Sequence, residues 1–162
     1  MTFSVRHMMI SKVRGTFGMK SATLVAPENP LDARVTASVD VASLDTKDDG
    51  RDGHLRSADF FDAETFPTME FVSTGARVES GDFFIDGDLT IRGTTKPVSF
   101  EFEFGGFGQD PYGNYKAGAS ATTTINREDF GLTWNTALET GGVLVGKDIT
   151  INLDLQGALQ QD

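Results

Sequence analysis

The chain has 162 residues, enough for one domain with a core of its own. Its formal charge of −10 argues against nucleic acid and anionic membrane surfaces as main partners, and the absence of cysteine excludes disulfides, thiolate catalysis and Cys-based metal sites. Eighteen glycines and thirteen phenylalanines favour an all-β protein with many turns, because Phe packs well on pleated surfaces and Gly serves bends and bulges.

Alternation of apolar and polar residues recurs from the first residues onward. Phe3, Val5, His7 and Met9 share one face of a first predicted strand, and Val13, Gly15 and Phe17 one face of a second. As written, the N-terminus carries no basic, apolar, small-residue signal pattern, and no apolar run is long enough to span a bilayer. The expectation is a cytoplasmic protein that is not membrane-embedded, or a periplasmic or secreted one if a signal segment is missing from the chain. After a turn at Pro27–Pro30, Ala33, Val35, Ala37, Val39 and Val41 face away from Arg34, Thr36, Ser38 and Asp40 in a third strand.

The stretch Gly53–Phe71 (GHLRSADFFDAETFPTMEF) interrupts this pattern. It opens like one short helix, with Leu55 and Ala58 on one face and Asp48, Asp49 and Asp52 crowding the start, where a helix favours negative charge. Pro67 ends any helical reading, and Thr68–Thr74 alternates as a strand. One helix in a β chain is suited to cover an open barrel end, with Phe60, Phe61 and Phe66 packing it there and controlling entry. Phe83, Ile85, Leu89 and Ile91 then share a face, as do Val98, Phe100, Phe102 and Phe104. A Gly-rich stretch, 105–114, reads as a turn, and Tyr115–Ile125 as a strand. Asn126–Phe130 breaks that strand, with Phe130 and Trp134 returning inward and Arg127 expected to pair with a nearby carboxylate. Ile149, Ile151, Leu153 and Leu155 close the series after a turn at 140–146.

About eight strands with one apolar and one polar face close most simply into a single antiparallel barrel spanning residues 1–162. A barrel of that strand number holds either packed side chains or one small ligand. Small walls (Ala33 and Ala37; Ala117, Ala119 and Ala121) and aromatic walls (Phe3, Phe17, Phe83, Phe100, Phe102) fit a filled interior and an apolar slot equally.

The motifs that look like chemistry dissolve on inspection. GGVLVGKD (141–148) has the spacing of a phosphate loop, but Asp148 replaces the required hydroxyl and a strand follows where a helix is needed. The run 45–56 starts like a calcium loop, yet Lys47 and Arg56 occupy two ligand positions. His7 and His54 are the only histidines and form no HxH or HExxH spacing, so no metal or other cofactor is expected. No Ser-His-Asp or Cys-His set can be assembled.

Five segments in order resemble the YceI-like family of bacterial lipocalin-like proteins associated with polyisoprenoid binding: FSVRHMMISKVRGTF, GHLRSADFFDAETFPTMEFVST, GDLTIRGTTKPVSFEFEF, TINREDFGLTWN and GGVLVGKDITINLDL. The resemblance runs end to end. It implies an extended eight-stranded antiparallel lipocalin-like barrel with a short helical segment and a long apolar cavity holding an isoprenoid chain. The residues that would touch that chain are Phe3, Val5, His7, Phe17, Ala37, Phe71, Phe100, Phe102 and Ala119 on the strands, and Phe60, Phe61, Phe66 and Trp134 in the connections. Relatives usually carry a Trp-containing segment before the FSVRH stretch and often an export signal. Here the chain begins Met1-Thr2-Phe3, and a start codon placed too far downstream would explain both.

The function expected is non-catalytic binding, sequestration or transport of an isoprenoid lipid, a polyprenyl or an isoprenoid quinone. A prenyl pyrophosphate would need several cations at the cavity mouth, with Lys12, Arg14, Arg56, Arg92, Lys96 and Arg127 as candidates. The acidic balance favours instead an uncharged, quinone-like head needing one or two donors such as His7 or Trp134, or a charge met by only one or two basic side chains. Two other readings stand beside it. One is a barrel enzyme on a small apolar substrate, with His7 as its candidate base; the other is a filled barrel acting through protein contacts, a homodimer being one form of these.

Overall fold

The computed structural model describes residues 1–8, 10–25, 27–135 and 145–158, so Met9 and most of the 140–146 turn lie outside the described residues. Eight antiparallel strands close into one barrel in chain order. They are β1 (Thr2–His7), β2 (Ser11–Val25), β3 (Arg34–Asp45), β4 (Thr68–Glu79), β5 (Asp82–Ile91), β6 (Thr94–Gln109), β7 (Tyr115–Asn126) and β8 (Val145–Ala158). The ring shuts at β1, where Phe3 lies opposite Gly15 of β2 and Ile151 of β8.

The alternation read from the sequence is the inside–outside alternation of the barrel. Phe3, Phe17, Val39, Val41, Phe71, Ile85, Leu89, Phe100 and Ile151 are buried, and their polar neighbours face water. Gly87 takes an inward position on β5 because no side chain fits there. A Cβ would lie 2.5 Å from the Phe71 ring and 2.6 Å from the Val72 carbonyl. Gly87→Ala is therefore expected to cost about 1–3 kcal/mol of stability, as overpacking does. An unchanged urea midpoint would mean that Phe71 gives way freely.

Two boundaries differ from the sequence reading. The helix α1 spans Asp49–Arg56, starting before Gly53 and stopping well before Pro67. Its start is fixed by Asp48, whose carboxylate accepts the Arg51 N–H at 3.0 Å, with Asp49 and Asp52 in the first turn. It stops at Ser57, which is extended (φ −73°, ψ 172°), so Ala58 is exposed and shares no helical face with Leu55. Residues 57–66 continue as successive turns. The second difference is β6, which runs to Gln109 and leaves only 110–114 as a turn. Its glycines lie at a register shift between Phe104 and Gly106, a bulge within the strand and not an end to it.

Candidate functional site

The site is the barrel interior. Helix α1 and residues 57–66 form the β3–β4 connection and cap one end. Arg56 donates to the carbonyls of Leu44 (2.6 Å) and Ala42 (3.1 Å) on β3. Arg92, in the β5–β6 turn, donates to those of Phe60 (2.9 Å) and Ala58 (2.8 Å). The cap is thus pinned to two sides of the barrel by arginines that the sequence reading had offered as headgroup contacts. Lys12, Arg14 and Lys96 are exposed, and none lines the interior described next.

Behind the cap is a chamber of about 160 Å³, lined by Phe3, Val5, His7, Phe17, Phe60, Phe61 and Trp134 among others. Beyond it lies a second chamber of about 610 Å³, lined by Ala37, Phe71, Phe100, Phe102, Ala119 and Ala121 among others. Met69, Ile91 and Ile151, with Met1, border both and form a waist. The larger chamber opens at the end opposite the cap, where Val25, Phe104 and Phe107 line it and remain 55%, 46% and 65% exposed.

The slot exists because the two small-residue walls face each other. In a ring of eight strands β3 and β7 are diametrically opposed, so Ala37 meets Ala119 and Ala121 across the interior. Large side chains on β4, β5 and β6 fill the arc between them. Ala33 does not join its wall: it is buried beside the short 3₁₀ turn Pro30–Asp32, ahead of β3, and lines neither chamber.

Of the ligand-contacting residues expected from the sequence, only Phe66 lies away from both chambers. The chain reverses at Asp62 (φ 50°), whose carbonyl accepts the Phe66 N–H at 2.8 Å. The Phe66 ring then fills the space over Gly93, where a Cβ would lie 2.8 Å from it. Phe60, Phe61 and Trp134 do meet at the capped chamber. Phe61 stands edge-on to Phe17 (5.4 Å between ring centres), and the His54 ring is edge-on to both Trp134 (4.7 Å) and Phe60 (5.2 Å).

Arg127 departs most from expectation. It is 2% exposed, and no carboxylate pairs with it among the described residues. Its guanidinium instead donates to backbone carbonyls: Gly146 (2.8 Å), Trp134 (3.0 Å), Val145 (3.3 Å) and Leu132. Burial pushes its pKa below the ordinary arginine value, although an arginine stays charged throughout. Sequence reasoning also missed Arg51, which lines the capped chamber while donating to the hydroxyl and carbonyl oxygens of Thr46, both at 2.8 Å. The available signal was its place three residues before His54, on the same helix face. Among the described residues no side chain hydrogen-bonds to the His7 ring, and no group of three or more His, Asp or Glu could hold a metal ion.

A closed antiparallel barrel with one capped end and a two-chambered apolar interior has the architecture of the lipocalin-like ligand-binding barrels. The chain belongs to the YceI-like family, whose domain model matches residues 1–157. A UPF0312 protein of Staphylococcus aureus is 35% identical over 161 residues, covering 98% of this chain and 92% of that protein. The Campylobacter jejuni YCEI protein has a similar structure, with a TM-score of 0.75 and 28% identity over 96% of this chain and 90% of that one. A polyisoprenoid binding domain from Saccharophagus degradans shares the fold at a TM-score of 0.64 and 11% identity, over 96% and 90% of the two chains.

Proposed function

We propose that this protein binds an isoprenoid lipid, and so sequesters or carries it, without doing chemistry on it. The observation that carries this reading is the apolar slot of about 610 Å³ running from an open end to a ring-sized chamber under the cap. That volume is in the range of small-molecule pockets. Each methylene transferred from water contributes about 0.8 kcal/mol, so one five-carbon unit contributes up to roughly 4 kcal/mol before the costs of ordering the tail. A few enclosed units are enough for micromolar binding or better. The Saccharophagus domain of the same fold, named for polyisoprenoid binding, supports the choice of ligand class.

Trp134 is the only tryptophan and lines the capped chamber, so its fluorescence reports occupancy directly. Titration with geranylgeraniol is expected to give saturable quenching at one ligand per chain. A linear, non-saturating response would sink the proposal. The route of exchange is testable in the same way. Arg56 and Arg92 hold the cap down, so exchange runs through the open end past Phe104 and Phe107. Phe61→Ala is then expected to leave the rate of ligand release unchanged. A faster release would restore the expectation that these phenylalanines control entry.

A further inference from the structure

The capped chamber has an electrostatic character opposite to that of the whole protein. The chain carries 24 acidic residues against 14 Lys and Arg. Yet among the described residues the ionisable side chains lining this chamber are Arg51, Arg127, His7 and His54, with no Asp or Glu among them. Glu70 borders the larger chamber, but it is exposed between inward Met69 and Phe71, and its carboxylate accepts from the Ser38 hydroxyl at 2.9 Å on the outer face. The capped end of the interior is therefore suited to the negative end of an amphiphile.

Arg127 supplies the strongest reason for a ligand of defined sign. A guanidinium has five N–H donors, and four hydrogen bonds to carbonyl oxygens leave one of them, on Nη2, unassigned. Carbonyl dipoles orient the group but do not neutralise its unit charge, and among the described residues the one carboxylate acting on it, Glu128, does so through space while paired with Lys147 at 3.6 Å. A buried charge without a counter-ion is costly, and the usual remedy is an opposite charge in hydrogen-bond contact. Arg51 uses Nε and Nη2 on Thr46 and, among the described residues, has no hydrogen bond at Nη1. Its neighbour one turn on, His54, is already paired through Nε2 with the Asp59 carboxylate at 2.9 Å and lies edge-on to Trp134, whose carbonyl holds Arg127. His7 of β1 is paired in register with Val145, whose carbonyl also accepts from Arg127. Arg127, Arg51 and His7 thus line the same chamber, with the Asp59-paired His54 beside them.

We propose that the capped chamber is a headgroup site for one compact anion, and that the preferred ligand is a long chain ending in a single carboxylate. The acid sits among Arg127, Arg51 and His7, and the tail threads the Met69–Ile91–Ile151 waist into the larger chamber. This rests on the isoprenoid-tail reading above and specifies its head. Size supports one small group: about 160 Å³ is close to the roughly 150 Å³ cavity known to take a benzene ring. Two arginines already committed in part to the backbone match one negative charge. A diphosphate brings several, and the cost of desolvating them exceeds what those donors return.

The test uses three probes that share one tail: geranylgeranoic acid, geranylgeraniol and geranylgeranyl diphosphate, each titrated at neutral pH with Trp134 fluorescence as the readout. The acid is expected to bind at least about tenfold more tightly than the alcohol, which is about 1.4 kcal/mol, and more tightly than the diphosphate. Because Arg127 also holds backbone, the informative variant is Arg51→Gln. It is expected to weaken the acid by about tenfold, in line with loss of a charge-assisted hydrogen bond, and the alcohol by much less, so that the acid preference collapses. Equal binding of acid and alcohol, tighter binding of the diphosphate, or an acid preference that survives Arg51→Gln overturns the headgroup assignment while leaving the tail site intact. Failure of all three probes to bind the wild-type protein overturns the tail reading itself, and the headgroup assignment with it.

Discussion

An Ala119→Phe variant is expected to fold normally and to lose most of its affinity for a long prenyl ligand. Ala119 lies on β7, opposite Phe104 of β6 and Leu155 of β8 in register, and its side chain lines the larger chamber. Overpacking a filled core costs about 1–3 kcal/mol. Here the added ring extends into the open slot between the β3 and β7 walls, so that penalty largely falls away. The space the ring takes is the space the tail needs. Every methylene displaced from the slot forfeits about 0.8 kcal/mol, so excluding one five-carbon unit weakens binding by up to roughly 4 kcal/mol. A shorter prenyl alcohol, reaching the waist with fewer units, is expected to lose less. Wild-type affinity for the long ligand in a correctly folded variant would mean that the tail does not occupy this slot.

Arg127→Met is expected to be the most destabilising single change in the chain outside the apolar core, at about 3–5 kcal/mol. The Arg127 side chain ties residues on both sides of the β7–β8 connection: Leu132 and Trp134 as the chain leaves β7, Val145 and Gly146 as it enters β8. Methionine matches the stem but donates nothing, so the carbonyls it leaves lose their partner in a buried site. Each unsatisfied buried acceptor costs about 1–3 kcal/mol, reduced where water can enter. Equilibrium unfolding in urea measures the loss. A change of less than about 1 kcal/mol would show that these carbonyls find other donors. The substitution also removes the central charge of the capped chamber. Its effect on acid-headed ligands is therefore interpretable only where the variant remains folded, which is why Arg51→Gln carries that test.

Strand faces were legible in the sequence because a half-buried strand has a period of two and this chain keeps it: Phe83, Ile85, Leu89 and Ile91 point inward on β5 as their spacing requires. The barrel followed from the number of such strands. What alternation does not encode is which wall faces which. The cavity depends on β3 and β7 lying opposite each other, a property of ring closure and not of either segment. The helix start was marked by Asp48, but the acidic run blurred which Asp serves as the cap and shifted the reading toward Gly53. Phe66 resembles Phe60 and Phe61 in sequence and differs only because a left-handed Asp62 turns it toward Gly93. Arg127 follows the rule that buried charges are satisfied but finds carbonyl oxygens brought together by chain reversal, which no local pattern announces.

The central claim is that the interior is a lipid site. Native mass spectrometry of protein purified without detergent tests it most directly. The expected result is a population carrying one adduct of lipid mass per chain, with fragmentation giving an isoprenoid chain that ends in one acid group, and with the adduct absent from Ala119→Phe. The bare polypeptide mass throughout, unchanged after incubation with geranylgeranoic acid and geranylgeraniol together, would contradict it.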